Sequence, residues 1–151
     1  MPQPHIPGGS LDPERVLRMT RRFAAAPERV FDAWLRPETA RRWLFASAAD
    51  EAYRAEIDAR VGGRYEITAR REGVDYTAVG EYLEIDRPRR LVFTFAMPQF
   101  SPEADWIIVE LAPDGAGCLL TFTQQGLPPE YHAATEEGWS LMFELLAALL
   151  A

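Results

Sequence analysis

The first clear pattern of apolar and polar positions lies in VLRMTRRF, residues 16–23. Leu17, Met19 and Phe23 share one parity there and Arg21 interrupts them, which predicts a half-buried strand. The period then changes. In APERVFDAWLRP, Val30, Phe31, Trp34 and Leu35 fall on one helical stripe, with Pro27 suited to the first turn, Glu28 complementing the dipole and Pro37 stopping the run. A second short helix is predicted over 38–44, because Pro37 can also open one and good helix formers follow it.

Over residues 53–123 the chain reads as a meander of strands divided by turn signals at Gly62-Gly63, Glu72-Gly73, Asp86-Arg87-Pro88, Met97-Pro98 and Pro113-Asp114-Gly115. A three-residue loop, 61–63, with a glycine bulge sets Ile57 opposite Ile67 and Ala59 opposite Tyr65, leaving Asp58, Arg60, Arg64 and Glu66 on the other side. Later strands are predicted at 76–85, 91–96, 106–111 and 119–123. Helical spacing returns after Pro128-Pro129-Glu130, where Tyr131, Thr135, Trp139, Met142, Phe143, Leu146 and Leu149 or Leu150 lie on one side. That apolar stripe must cover something, and the sheet is the only large partner. The expected fold class is α+β: a curved antiparallel sheet around a long C-terminal helix, with two short helices after the first strand.

Composition narrows the function classes. The 151 residues carry 16 basic and 23 acidic side chains, a net charge of −7, and 48% are apolar, enough for one core without metal or disulfide. Every basic residue is Arg, so Schiff-base chemistry and a P-loop lysine are excluded. Scattered arginines and the acidic balance argue against nucleic acid. The lone Cys118 excludes an internal disulfide, and an inert thiol is expected at the start of a strand after Gly117. Residues 1–15, with four Pro and two Gly, read as a flexible N-terminal tail without a signal-peptide core, leaving 16–151 as a single domain. No apolar run approaches the ~18 residues that cross a bilayer, so a soluble, cytoplasmic protein with no membrane span is expected, as a monomer or homodimer.

Five segments, RRFAAAPERVFDAWLRPETARRW, IDARVGGRYEI, GEYLEIDRPRRLVFTF, VELAPDGAGCLLTFTQQGLP and EEGWSLMFELLAALL, together resemble the START-like (SRPBCC) superfamily. Within it they resemble the branch named after the activator of the ninety-kilodalton heat-shock protein ATPase, over about residues 16 to 151 in unbroken order. The resemblance implies a helix-grip fold whose sheet and final helix enclose an apolar cavity opening near the small helices. Where many relatives have a Trp-rich stretch ending in Gly-Pro or Pro, this chain runs from Trp43-Leu44-Phe45 into Ala46-Ser47-Ala48-Ala49. Many also carry His where Gln124 or Gln125 stands here.

Catalytic chemistry finds little support. His5 and His132 are the only imidazoles, no G-x-S-x-G elbow exists, and His132 with Glu136 falls short of the three protein ligands usual for catalytic zinc. No metal, cofactor or catalytic residue is therefore assigned. Asp58 and Glu66, flanked by Arg60 and Arg64, read as an outward charge lattice. Arg21 shares the parity of the inward residues and would need an acceptor such as Glu110 or Glu81, or an anionic ligand. The aromatic residues Tyr65, Tyr82, Phe93, Phe95, Trp106, Phe122, Trp139 and Phe143 suit either a filled core or a pocket for an apolar molecule, and the resemblance favours the pocket. With Arg21, Trp43 and Gln124 they make up the expected ligand cavity, where Gln124, Thr94 and Tyr82 could supply hydrogen bonds. The expected function is binding of a small hydrophobic or aromatic molecule with no assigned catalysis. A cyclase or hydratase using the same cavity and a chaperone-interacting module are the alternatives.

Overall fold

The computed structural model describes residues 13–47 and 51–151. The proposed tail therefore lies outside the described residues up to position 12, and Pro13–Arg15 form a single 3-10 turn. In chain order the elements are β1 (Val16–Phe23), α1 (Pro27–Leu35), α2 (Pro37–Ala40), β2 (Arg54–Ile57), β3 (Arg64–Arg71), β4 (Val74–Asp86), β5 (Arg90–Phe95), β6 (Asp105–Asp114), β7 (Gly117–Gln125) and α3 (His132–Leu150). All seven strands join one antiparallel sheet in the order β1-β7-β6-β5-β4-β3-β2. The sheet is a meander from β2 to β7, with β1 added beside β7, and it curves around α3 with α1 and α2 closing one end.

Alternation decides what faces the helix. Leu17 and Phe23 on β1, Tyr65 and Ile67 on β3, Leu91 and Phe93 on β5, Ile107, Val109 and Leu111 on β6, and Leu120 and Phe122 on β7 are buried on the inner side. From α1 come Val30, Phe31, Ala33 and Trp34, and from α3 Trp139, Phe143 and Leu146. Trp34 stands at the centre, with its ring centroid 4.7 Å from Trp43, 5.9 Å from Phe93 and 6.0 Å from Trp139. A bidentate pair from Arg87 to Asp32, at 2.8 and 3.0 Å, ties α1 to the turn after β4 and holds the Asp32 carboxyl below its usual range.

Several local expectations are corrected. The loop at Gly62-Gly63 spans 58–63, and β2 pairs Ile57 with Tyr65 and Ala55 with Ile67, two residues away from the predicted register. A slip of two keeps every side chain on its face, so the inner and outer assignment survives while the pairing does not. Backbone bonds from Gly62 N–H to Tyr82 O and from Tyr82 N–H to Gly63 O clamp the loop to β4, which a hairpin considered alone does not foresee. Glu56, not Asp58, stands opposite Glu66, and Asp58 instead pairs locally with Arg60 at 2.8 Å. The second helix is shorter than expected, ending at Ala40 before a run of turn residues to Phe45. Tyr131, placed on the buried stripe by its spacing, is 57% exposed because the chain there forms a 3-10 turn before α3 begins.

Candidate functional site

The expected cavity residues divide into three groups. Trp43, Tyr65, Tyr82, Phe93, Phe122, Trp139 and Phe143 do come together, but as packed core: each is almost fully buried, and Trp139 lies 4.5 Å from Phe122 and 5.8 Å from Phe143 between ring centroids. The void left among Trp34, Leu44, Tyr65, Tyr82, Leu91 and Phe93 is about 10 Å³, which at most matches one water. That void has no room for a guest.

Most buried polar groups in this core are satisfied within it, the indole Nε1 of Trp34 being the exception. Trp43 Nε1–H donates to Ala33 O at 3.0 Å. The Tyr65 hydroxyl donates to Thr94 O at 2.8 Å, and desolvation pushes both the Tyr65 and Tyr82 phenols above their ordinary range, so both stay protonated. Gln124 accepts from Trp139 Nε1–H at 3.0 Å and donates to Asp105 Oδ2 at 2.7 Å. Its amide is therefore a link in the fold and not a free anchor for a ligand.

Trp106 and Arg21 leave the set for different reasons. Trp106 lies on the outer face of β6 in a separate cluster with Val92, Ile108 and Leu83. Both sides of β6 are apolar, so its alternation gave no warning. Thr94 is likewise on the outer face, where its Oγ1 accepts from Glu81 N–H at 2.9 Å. Arg21 does sit on the inner parity, half-buried, but its partner is Glu144 of α3 at 3.9 Å, with the guanidinium 5.8 Å from the Phe23 ring centroid. The acceptors expected for it are elsewhere, Glu110 being taken by Arg90 at 2.9 Å.

Open space lies further along the same layer. A cleft of about 810 Å³ runs between α3 and the inner face of the β3–β4 end of the sheet. Helix α3 contributes Gly138, Leu141, Met142 and Leu145, the strands contribute Ala69, Arg71, Tyr76 and Ala78, and the remaining wall comes from Phe45–Ser47 with Met97 and Phe100. Leu141 and Phe100 are 59% and 66% exposed there, and Tyr76 stacks on Phe100 at 5.9 Å. Phe45, at the boundary of core and cleft, stacks on Phe95 at 5.2 Å and meets Trp139 edge-on at 5.7 Å. Its φ of 58° is a left-handed conformation that a bulky side chain rarely adopts, and its N–H points at Met142 Sδ, 3.0 Å away. Phe95 is thus the expected site residue that reaches this region, as the support for Phe45.

Most of these cleft residues escaped the sequence reading. Leu141 and Leu145, four apart, make α3 apolar on a second side, and Gly138 is a glycine in a helix interior; both signals were present. The change from Trp43-Leu44-Phe45 to small residues marked the same wall.

Other candidate chemistry is accounted for. Cys118 is buried, and desolvation raises its thiol away from the reactive thiolate. His132 Nε2 lies 2.9 Å from Leu127 O. No group of three or more His, Cys, Asp or Glu side chains placed to hold a metal occurs among the described residues. On the outer face of β2–β5 a second concavity of about 600 Å³ is lined by Glu56, Asp58, Glu66, Glu81 and Arg64 together with apolar residues such as Val79 and Ala96, a more heavily charged wall than the cleft's. No helix of the described residues is long and apolar enough to cross a membrane.

A curved antiparallel sheet gripping a long C-terminal helix, with two short helices after the first strand, defines the START-like, helix-grip class. The family model described as Activator of Hsp90 ATPase homolog 1-like protein matches residues 24–151, and the chain belongs to that family. Protein CV1439 from Chromobacterium violaceum is similar at 30% identity, with a TM-score of 0.78, over 90% of this chain and 96% of its own. Protein NE0264 from Nitrosomonas europaea has the same fold at 24% identity and a TM-score of 0.78, over 93% of this chain and 97% of its own. The Q3J4M4_RHOS4 protein from Rhodobacter sphaeroides shares it at 22% identity and a TM-score of 0.79, covering 97% and 96%. No curated protein matches the chain.

Proposed function

We propose that residues 16–151 act as one binding domain for a small hydrophobic or aromatic molecule, held in the cleft between α3 and the β3–β4 end of the sheet. Gly138 carries this reading. A glycine inside a helix costs about 1 kcal/mol relative to alanine, yet a Cβ placed on Gly138 would meet nothing within 4 Å. Backbone packing thus does not require the glycine, and what its missing side chain leaves is space in the cleft wall. The cleft's size is within the roughly 300–1,000 Å³ of small-molecule sites, and its apolar walls with few polar groups are what such sites use. Exposed Leu141 and Phe100 give a guest apolar surface to cover.

The test is a fluorescence titration with the neutral apolar probe N-phenyl-1-naphthylamine. Wild-type protein should bind it, G138W should abolish the signal while keeping its circular dichroism and melting temperature, and G138A should melt higher than wild type. Absence of wild-type binding, or unchanged binding by a folded G138W, would overturn the assignment.

A further inference from the structure

Two arginines take the inner side of the sheet near α3, and they are treated differently. Arg21 on β1 is answered by Glu144. Arg71, the exposed last residue of β3, continues the inward parity of Tyr65, Ile67 and Ala69 and lines the cleft, but its guanidinium makes no ion pair or hydrogen bond with another described residue. Among the described residues it is the only cation in the cleft wall, and Glu144, the only carboxylate among those wall residues, already faces Arg21. The cleft therefore combines apolar walls with one uncompensated positive charge at its β3–β4 end.

Resting on the reading of the cleft as an apolar binding site, we infer that its ligand is a monoanionic amphiphile, an alkyl or aryl carboxylate. Its apolar body lies along Leu141, Leu145, Tyr76 and Phe100, and its carboxylate meets the Arg71 guanidinium. The planar fork of arginine matches a carboxylate in a bidentate geometry, and a charge-assisted pair beside apolar walls is stronger than one in open water. Glu144 works against a second negative charge, so the cleft selects a single acid group. A neutral ligand of the same shape would gain the walls and forgo the guanidinium.

Displacement of N-phenyl-1-naphthylamine by dodecanoate and by dodecanol, at neutral pH and low salt, separates these contributions. Dodecanoate should displace the probe from wild type at about tenfold lower concentration than dodecanol, as one hydrogen-bonded charge pair provides. R71Q should bring the two to equal potency by weakening dodecanoate alone, whereas R18Q, on the outer side of β1, should keep the preference. Raised salt should narrow the wild-type gap. Equal potency in wild type, or a preference retained in R71Q, overturns the carboxylate assignment and leaves the apolar cleft standing. Failure of wild type to bind the probe and both competitors overturns the cleft itself.

Discussion

The indole Nε1–H of Trp139 on α3 donates to the side-chain Oε1 of Gln124 on β7 at 3.0 Å, both groups being buried. Because Gln124 Nε2–H in turn donates to Asp105 Oδ2, the contact fixes the amide's orientation and runs from the helix through the sheet to the start of β6. It is the polar lock on an otherwise aromatic interface.

Trp139→Ala should destabilise the protein by about 3–5 kcal/mol, the range for removing a packed large aromatic. Gln124→Leu should cost about 1–3 kcal/mol by leaving the indole N–H and the Asp105 carboxylate without this partner. Urea denaturation midpoints check both. A Trp139→Ala midpoint close to wild type would show that the indole borders open space.

Asp105 gives the chain a stability that depends on pH. Desolvation raises its carboxyl pKa, against the opposing hydrogen bond from Gln124. A carboxyl whose folded pKa exceeds its unfolded value binds more protons when folded, so its contribution falls as pH rises from the unfolded pKa, about 3.9, through the folded one. Asp105→Asn keeps an acceptor for Gln124 without the charge. Relative to wild type it should therefore gain stability above that window and lose the advantage below it, as read from melting temperatures across a pH series. A constant difference at every pH would refute the assignment.

Gly80 on β4 has no room for a side chain against β5. An added Cβ would collide with the Thr94 carbonyl oxygen and with the Tyr65 ring, which crosses Gly80 to reach that same oxygen. Gly80→Ala should therefore cost about 1–3 kcal/mol as overpacking of a close contact. The same substitution at Gly138, where nothing is met, should stabilise. Opposite shifts of the two melting temperatures are the expected outcome.

Much of this architecture was readable before any coordinates. Change of period located β1, α1, the meander and α3, and the order of five family segments named the helix-grip fold. The two-residue turn at Glu72-Gly73 was also legible: both residues have positive φ, 53° and 79°, as the tight hairpin turn demands. Trp106 was misplaced because Ile107 and Ile108 beside it are both buried, on opposite faces, and alternation is silent where a strand is apolar on both sides. The register at Gly62 failed because Tyr82, twenty residues away, holds that loop.

The sequence by itself determined which side of most strands and helices must leave water, since that depends on local periodicity, with β6, apolar on both sides, the exception. It also delivered the aromatic residues that supply the core. Whether those aromatics fill the interface or border an opening was decided only in three dimensions, because packing depends on distant segments meeting at ångström precision. Trp34 from α1 and Trp43 from the turn after α2 close the centre, and the unusual backbone at Phe45, the missing side chain at Gly138 and the end of β3 at Arg71 leave the opening beside it.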